Sequence, residues 1–227
     1  CAFTESCLTL IIPPEPGRRT EMDKTFLVMA GGTGGHVYPA LAAALGLTNR
    51  GARVVWIGSK GGMEERIVGA AGIPMHLITV GGLRGKGLMT RVAAPFRLLR
   101  SLWQTYLVYR KETPDCVLGM GGFVAGPGGL MALLTSRPLV IHEQNAVAGM
   151  TNRWLSRWAK TILQAFPDTF SPGSAHKASI HTVGNPVRED LLSLAKPALR
   201  GVGRRKPSLL ILGGSRGAQV LNEIVPE

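Results

Sequence analysis

Three glycine-rich turns in the chain have the residue types that hold phosphate groups in proteins. They are Gly31-Gly32-Thr33-Gly34-Gly35-His36, the stretch from Gly119 to Gly126 that contains Gly121 and Gly122, and Gly213-Gly214-Ser215-Arg216-Gly217. Glycine lets the backbone approach a ligand closely, and a helix N-terminus offers free N–H groups to phosphate oxygens. A single turn of this kind is often only a tight connection between a strand and a helix. Three of them in one chain predict a phosphorylated ligand.

The turns lie among elements whose apolar pattern alternates between strand-sized runs and longer helical stretches. We predict strands at 25–30, 53–57, 75–79, 115–119, 138–142, 161–165 and 181–183. We predict helices at 37–49, 62–71, 95–111, 128–135 and 148–158. Continuous apolar strands that alternate with helices indicate a parallel sheet covered on both faces, so the predicted fold class is doubly wound α/β. In such sheets ligands bind beyond the carboxyl ends of the strands, where the glycine-rich turns are expected.

The predicted elements divide the chain into four segments. Residues 1–21 are irregular and are expected to be disordered or non-native, because Met22 has the position of a natural start just before the first strand. Residues 22–183 are expected to form a complete first domain. Residues 184–207, rich in Pro, Gly, Arg and Lys, are expected to form a linker. Residues 208–227 are expected to be only the first strand and helix of a second domain, because a lone βα unit cannot bury its faces.

The charge balance predicts an anionic partner. The chain has 26 Lys and Arg residues against 14 Asp and Glu, a net charge of +12, which suits nucleic acid, a phosphorylated substrate or an acidic membrane surface. No recognition motif for nucleic acid accompanies the charge, so nucleic acid is disfavoured as a partner. The longest apolar runs are strand-sized, far below the roughly 20 residues of a membrane span. No D-x-D pair and no set of residues with metal-ligand spacing occurs, so the sequence predicts chemistry without a metal or a cofactor.

A nucleotide-dependent oxidoreductase is an alternative that the first turn leaves open. The turn lacks the spacing of a P-loop, and it fails the pattern G-x-G-x-x-G because Val37 stands three positions beyond Gly34. Lys60, after the second predicted strand, is suited to a 2′-phosphate. An NADP-type oxidoreductase therefore remains a second interpretation of the same turns.

Five motifs together resemble one family. The three glycine-rich turns, His142-Glu143-Gln144-Asn145 and Gly184-Asn185-Pro186-Val187-Arg188 are similar in order and spacing to the MurG family of bacterial peptidoglycan glycosyltransferases, in glycosyltransferase family 28. The resemblance runs from about Lys24 to Glu227 and implies a GT-B architecture of two Rossmann-like domains. It also implies inverting transfer of N-acetylglucosamine from UDP-GlcNAc to the C4 hydroxyl of MurNAc in undecaprenyl-pyrophosphoryl-MurNAc-pentapeptide (lipid I), which gives lipid II.

The resemblance implies that most of the domain that holds the UDP-sugar is missing from this chain. We therefore expect the chain alone to be inactive. An inert acceptor-domain fragment that only binds membrane or partner proteins is a further alternative.

The resemblance also implies roles for individual residues. His36 would be the general base, because imidazole accepts a proton at physiological pH, and the alternative is that it only orients the first turn. Glu143 would be a second acid or base, or else a structural carboxylate, and His142 is interpreted as a packing residue at a strand end. The residues expected to bind UDP-GlcNAc are Thr33, Gly34, Gly35, Asn145, Arg188 and Ser215, and those expected at the acceptor diphosphate are Gly121 and Gly122. An Asx turn at Asn145 and a solvated linker arginine at Arg188 are the alternatives.

A basic and apolar stretch follows the third predicted strand. Residues 81–111 contain seven Lys or Arg residues and no acid, and apolar residues recur at helical spacing. The surface expected to bind anionic inner-leaflet phospholipid comprises Leu88, Met89, Val92, Phe96, Arg97, Arg100 and Trp103. The alternative is an apolar stripe that faces the core, with a solvated basic face opposite. With the family resemblance, this stretch predicts a peripheral protein on the cytoplasmic face of the membrane, with cell-wall and division proteins as further partners.

Overall fold

The computed structural model describes residues 24–80, 88–171, 173, 178–188, 191 and 223–224, with the backbone alone for 88–94. The chain divides into two compact units, 1–188 and 189–227, and this boundary falls within the predicted linker. Several predictions lie outside the described residues: the 1–21 extension, most of the linker at 184–207, the strand and all but two residues of the helix at 208–227, Ser215, and the side chains of Leu88, Met89 and Val92.

The described part of the first unit is built on a seven-stranded parallel sheet. Its strands are β1 (Thr25–Met29), β2 (Arg53–Ser59), β3 (Met75–Ile78), β4 (Cys116–Gly119), β5 (Leu139–Glu143), β6 (Thr161–Gln164) and β7 (Ser179–Thr182). Their order in the sheet is β3-β2-β1-β4-β5-β6-β7, and every neighbouring pair is parallel. Each of the seven predicted strands is confirmed, within one or two residues at most boundaries.

Helices cover both faces of this sheet. They are α1 (Gly34–Asn49), α2 (Met63–Ala70), α3 (Leu88–Glu112), α4 (Ala125–Leu134) and α5 (Met150–Leu155). Successive strand residues point to opposite faces, so Phe26 and Val28 of β1 join the core with α1 and α2, while Leu27 and Met29 join the core with α3, α4 and α5. The doubly wound α/β class predicted from the sequence is confirmed.

The helix predicted at 95–111 is longer than expected. It spans Leu88–Glu112, and Pro95 lies inside it rather than in its first turn. None of the described helices combines the length and the apolar character that a bilayer-spanning segment needs.

The strand order places a crevice in the middle of the sheet. From β1 the chain moves to β2 and β3 on one side, and it then returns to β4 on the other side of β1. The helices that follow β1 and β4 therefore diverge, and a crevice opens beyond the carboxyl ends of these two strands. The first glycine-rich turn follows β1 and the second follows β4, so both turns border this crevice.

Candidate active site

The first glycine-rich turn rests on a buried carboxylate that the sequence analysis did not single out. Glu64, in the first turn of α2, is fully buried. It accepts hydrogen bonds from the backbone N–H of Gly32 at 3.3 Å and from the N–H and hydroxyl of Ser59 at 2.8 and 2.5 Å. A Cβ atom at Gly31 would lie 2.5 Å from a carboxylate oxygen of Glu64, so glycine there leaves the room this oxygen occupies. In the sequence, Glu64 looks like an ordinary acidic residue at a helix N-terminus.

The second glycine-rich turn packs directly on the first. Gly121 and Gly122 have positive φ angles of +94° and +81°, which favour glycine. A Cβ atom at Gly122 would lie 2.1 Å from the carbonyl oxygen of Gly31, and one at Gly121 would lie 2.9 Å from Nδ1 of His36. These two glycines therefore have a structural reason to be glycine, apart from the predicted contact with an acceptor diphosphate.

His36 lies where these turns meet. It occupies the first turn of α1 and is half-buried, and its Nδ1 lies 2.9 Å from Oε1 of Gln144. Within the described part of the chain, no hydrogen-bond partner is found for its Nε2. The predicted base thus has one ring nitrogen held by the protein.

Gln144 and His142 continue this contact into the interior. Gln144 Nε2 lies 3.0 Å from Nδ1 of His142 and donates to the carbonyl oxygen of His142 at 3.2 Å. Nε2 of His142 lies 3.0 Å from the carbonyl oxygen of Gly184, after β7. Burial lowers the pKa of His142 to about 4, so the side chain is neutral at physiological pH. His142 is buried at a strand end, as interpreted from the sequence, and it also belongs to a polar network that the sequence did not reveal.

Glu143 is surrounded by donors from the turn that follows it and from α5. It is fully buried, and its carboxylate accepts hydrogen bonds from the N–H and side-chain amide of Asn145, the N–H of Gly149 and the side-chain amide of Asn152, at 2.8 to 3.1 Å. A fully buried carboxylate whose oxygens accept four hydrogen bonds from the protein has no exposed atom to offer a substrate. The geometry therefore favours the structural alternative for Glu143 over the role of acid or base.

Two predicted ligand-binding residues lie at the surface near these turns. Asn145 is exposed, and its side-chain N–H group is held by Glu143. Arg188 is exposed, and its guanidinium lies over the ring of Tyr38 in α1, 5.7 Å from the ring centroid. Asn185 donates to the carbonyl oxygen of Gln144 at 3.2 Å, which ties the segment before Arg188 to the turn after β5.

The residues predicted at the site thus come together from distant parts of the chain. His36, Gly121 and Gly122 are in one cluster, and the turn of Glu143 and Asn145 joins it through Gln144. Thr33 precedes α1 and makes no side-chain cap, so its hydroxyl does not occupy the N–H groups of Gly34 or Gly35. No group of three or more potential metal ligands occurs among the residues that the structure describes.

The apolar residues on the outer face of α3 are exposed to solvent, whereas the alternative interpretation of the sequence had them facing the core. We define this outer face by Phe96, Arg97, Leu99, Arg100 and Trp103, all of which the structure describes. Phe96, Leu99 and Trp103 are 71%, 63% and 61% exposed. The inner face of the helix instead buries Ser101, Thr105, Val108, Tyr109 and Glu112. The core-facing interpretation is wrong for these three apolar residues.

Comparisons with known proteins agree on one family. The profile of the glycosyltransferase family 28 N-terminal domain matches residues 26–164. A UDP-N-acetylglucosamine–N-acetylmuramyl-(pentapeptide) pyrophosphoryl-undecaprenol N-acetylglucosamine transferase from Hahella chejuensis is 66% identical over 204 residues, which are 90% of this chain and 56% of that protein. The transferase of the same name from Marinobacter nauticus is 53% identical over 205 residues, 90% of this chain and 55% of that protein.

A solved structure gives the same result. The crystal structure of Acinetobacter baumannii MurG matches with a TM-score of 0.61 and 45% identity, over 70% of this chain and 45% of that chain. The chain spans about half the length of the curated relatives it matches. The family profile covers more than half of the chain and runs from β1 to β6, the part that carries the first two glycine-rich turns. This chain therefore belongs to glycosyltransferase family 28 and contains the Rossmann-like N-terminal domain of a GT-B enzyme.

Proposed function

We propose that the protein to which this chain belongs transfers N-acetylglucosamine from UDP-GlcNAc to the C4 hydroxyl of MurNAc in lipid I and so produces lipid II for peptidoglycan synthesis. The observation that carries the proposal is the 66% identity to a relative whose name states this donor sugar and this lipid-linked acceptor. The oxidoreductase interpretation, which rested on Lys60, and the inert-fragment interpretation are not favoured by these comparisons.

The proposed reaction needs a base at the crevice. As the C4 oxygen of MurNAc attacks the anomeric carbon of the donor sugar, Nε2 of His36 takes the hydroxyl proton. The bond from the anomeric carbon to the UDP oxygen breaks, and UDP leaves with the electron pair, so the configuration of the sugar inverts. The support for His36 is its position at the crevice with only Nδ1 engaged by described residues.

The remaining site residues are proposed to bind the two substrates. Thr33, Gly34, Gly35, Asn145, Arg188 and Ser215 would contact UDP-GlcNAc, and Gly121 and Gly122 would contact the acceptor diphosphate. Free N–H groups at the start of α1 and the guanidinium of Arg188 suit phosphate oxygens. The packing of the two glycine-rich turns supports this assignment, since both bring backbone to the same crevice. Glu143 is proposed only to shape the turn that presents Asn145.

The outer face of α3 is proposed to dock on the anionic cytoplasmic leaflet, which would make the protein peripheral to the membrane. Exposed aromatic and aliphatic side chains alternate there with Arg97 and Arg100, a combination that binds anionic lipid surfaces. A lipid-linked acceptor requires the enzyme to reach the membrane, so this surface is consistent with the proposed reaction. Cell-wall and division proteins are proposed as further partners on the family resemblance alone.

The test of the reaction uses a chimera of this chain with the part of the Hahella chejuensis relative that the chain does not span. The chimera is expected to transfer labelled N-acetylglucosamine to a soluble lipid I analogue, and the 227-residue chain alone is expected to show no measurable transfer. His36→Ala in the chimera is expected to lower kcat by roughly 10²- to 10⁴-fold, the usual contribution of a general base.

His76→Gln is the matched control, because His76 bonds to Glu112 away from the crevice. It is expected to leave kcat within about twofold of the parent chimera. A chimera that folds and binds UDP-GlcNAc but transfers no sugar would contradict the proposed reaction. Undiminished turnover in His36→Ala would instead remove His36 from its proposed role.

A further inference from the structure

We propose that Gln144 and His142 are positioning residues that set the tautomer of His36, with the proton on Nδ1 and the lone pair on Nε2. The proposal concerns a chain of hydrogen bonds from His36 through Gln144 and His142 to the backbone of Gly184. It rests on the proposed function only for the use that catalysis makes of His36. The tautomer itself is a property of this chain and can be measured without any substrate.

The chain of hydrogen bonds has a fixed direction at its inner end. The carbonyl oxygen of Gly184 can only accept, so Nε2 of His142, 3.0 Å away, must carry a proton. His142 is fully buried and neutral, and a neutral imidazole has only one N–H. Its Nδ1 is therefore an acceptor.

This acceptor orients the amide of Gln144. Two atoms lie next to Nε2 of Gln144, namely Nδ1 of His142 at 3.0 Å and the carbonyl oxygen of His142 at 3.2 Å. Both are acceptors, so the amide nitrogen must lie on this side and the amide oxygen on the other. A flipped amide would bring its oxygen against two acceptors in a buried place. Gln144 is only 6% exposed, so little solvent is available to relieve such a contact.

The oriented amide in turn sets His36. Oε1 of Gln144 lies 2.9 Å from Nδ1 of His36 and has no proton to give. Nδ1 of His36 must donate, which leaves the lone pair of the neutral ring on Nε2. Gly121 leaves room for this ring, since a Cβ atom there would lie 2.9 Å from Nδ1.

The consequence for the reaction is that the basic nitrogen is prepared before substrate binds. A free histidine exchanges between two tautomers, and only a ring with its lone pair on Nε2 could take a proton at that atom. The hydrogen bonds start at Gly184, the first residue of the predicted linker, and Asn185 also donates to the carbonyl oxygen of Gln144. Backbone near the end of the first compact unit is thus part of the hydrogen-bonded chain that orients the base.

The test is a long-range ¹H–¹⁵N correlation spectrum of the 227-residue chain with ¹⁵N-labelled histidine, recorded near pH 8.5, where histidine side chains are mostly neutral. His36→Gln identifies the His36 signals by their loss. In the parent chain, Nδ1 of His36 is expected at the position of a protonated nitrogen and Nε2 at that of an unprotonated one. The opposite pattern in the parent chain would overturn the proposal, and this measurement needs no variant that could misfold.

Two substitutions of Gln144 test whether its acceptor oxygen, rather than the size of its side chain, sets the tautomer of His36. Gln144→Leu is expected to move the His36 signals toward the Nε2–H tautomer. Gln144→Glu keeps an acceptor toward His36 and is expected to retain Nδ1–H there, with a proton bound between its second oxygen and Nδ1 of His142 in place of the amide N–H. His76 is an internal reference, because its Nε2 faces the Glu112 carboxylate at 2.8 Å and must stay protonated in every variant with a native fold. Unchanged His36 signals in Gln144→Leu, with the His76 signals intact, would overturn the proposal.

In the chimera, Gln144→Leu is expected to lower kcat by roughly 10- to 100-fold with little change in KM, as partners that orient a functional side chain typically do. Gln144→Glu is expected to recover part of this loss, because it restores the acceptor toward His36 but not the N–H groups toward His142. An inactive parent chimera with the expected His36 tautomer would remove the proposed function and leave the tautomer assignment standing. An active Gln144→Leu chimera in which the tautomer has changed would overturn the catalytic consequence.

Discussion

The carboxyl edge of the sheet and the outer face of α3 depart from ordinary burial in opposite directions. At the sheet edge, Glu64, His142 and Glu143 are polar side chains with no exposed surface. On the outer face of α3, Phe96, Leu99 and Trp103 are large apolar side chains that are more than half exposed. Buried polar groups and exposed apolar clusters are both unusual in folded proteins and both tend to mark functional places.

The difference lies in where each region finds its partners. The polar groups at the sheet edge are hydrogen-bonded within the domain, so their arrangement is complete before any ligand arrives. The apolar groups of α3 lie on the surface, while the core contacts of this helix come from its inner face. Substitutions should therefore affect folding at the first region and association at the second.

The largest effect is expected for Glu143→Ala. It removes the acceptor for four N–H groups, and each buried donor left unpaired costs about 1–3 kcal/mol unless water enters. We expect the free energy of unfolding, measured with urea, to fall by about 3 kcal/mol, while binding to anionic vesicles stays unchanged. Glu65→Ala is the control, because Glu65 is exposed and, among the residues that the structure describes, its carboxylate accepts only from the N–H of Gly61. A loss in Glu143→Ala as small as that in Glu65→Ala would show that the buried carboxylate is not what holds this turn.

A triple variant, Phe96→Gln with Leu99→Gln and Trp103→Gln, is expected to lose vesicle binding while its stability stays nearly unchanged. Loss of these side chains from a lipid interface should weaken partitioning into phosphatidylglycerol vesicles by about 3 kcal/mol, or roughly 100-fold. The free energy of unfolding should change by no more than about 0.5 kcal/mol per site, because the side chains are exposed. Co-sedimentation measures the first quantity and urea unfolding the second. Leu45→Gln, at an exposed apolar residue of α1, is the control for vesicle binding.

Substitution of the arginines on the same face measures the contribution of charge to vesicle binding, apart from that of the apolar side chains. Arg97→Gln with Arg100→Gln should weaken binding to anionic vesicles by about 1 kcal/mol per charge at low salt, and this loss should shrink as salt is added. Lys60→Gln with Arg66→Gln is the matched pair elsewhere on the surface. Equal losses for the two pairs would mean that binding follows net charge and that the outer face of α3 is not the docking surface.

The smallest effect is expected at Glu112 on the inner face of α3. Like Glu64 and Glu143 at the sheet edge, it is a buried carboxylate that accepts hydrogen bonds within the domain. Burial tends to raise the pKa of Glu112, but hydrogen bonds from His76 and Arg53 outweigh it and hold the pKa below the usual value. Because the pKa of this carboxylate is lower in the folded state, its charge stabilises the folded state at pH values above the unfolded pKa of about 4.3. This stabilisation is lost as the pH falls through the folded pKa.

The unfolding free energies of the parent and Glu112→Gln should therefore differ by about 1 kcal/mol above pH 5 or so and converge at lower pH. Urea unfolding at a series of pH values measures this difference, with Glu65→Gln as the exposed control. A difference that does not depend on pH would contradict the expected contribution of the charge.

The sequence by itself determined the parallel sheet and the location of the glycine-rich turns. Continuous apolar runs and helical spacing are local signals, and in a doubly wound sheet the carboxyl ends of the strands follow from chain direction. His36, Gly121 and Gly122 could be predicted near one crevice for this reason.

Only the tertiary structure decided what each polar residue contacts. The sequence assigned no role to Glu64 or, within its motif, to Gln144, because their partners are brought to them by the sheet from 32 and 108 positions away. Glu143 could be an acid or a structural carboxylate in the sequence, and only the structure shows the four donors from Asn145, Gly149 and Asn152 that favour the second interpretation. The α3 stripe has the same spacing whether it faces the core or solvent, since helical periodicity defines a face and not its direction. Which face is covered depends on the sheet that packs against it, and the sheet forms only in three dimensions.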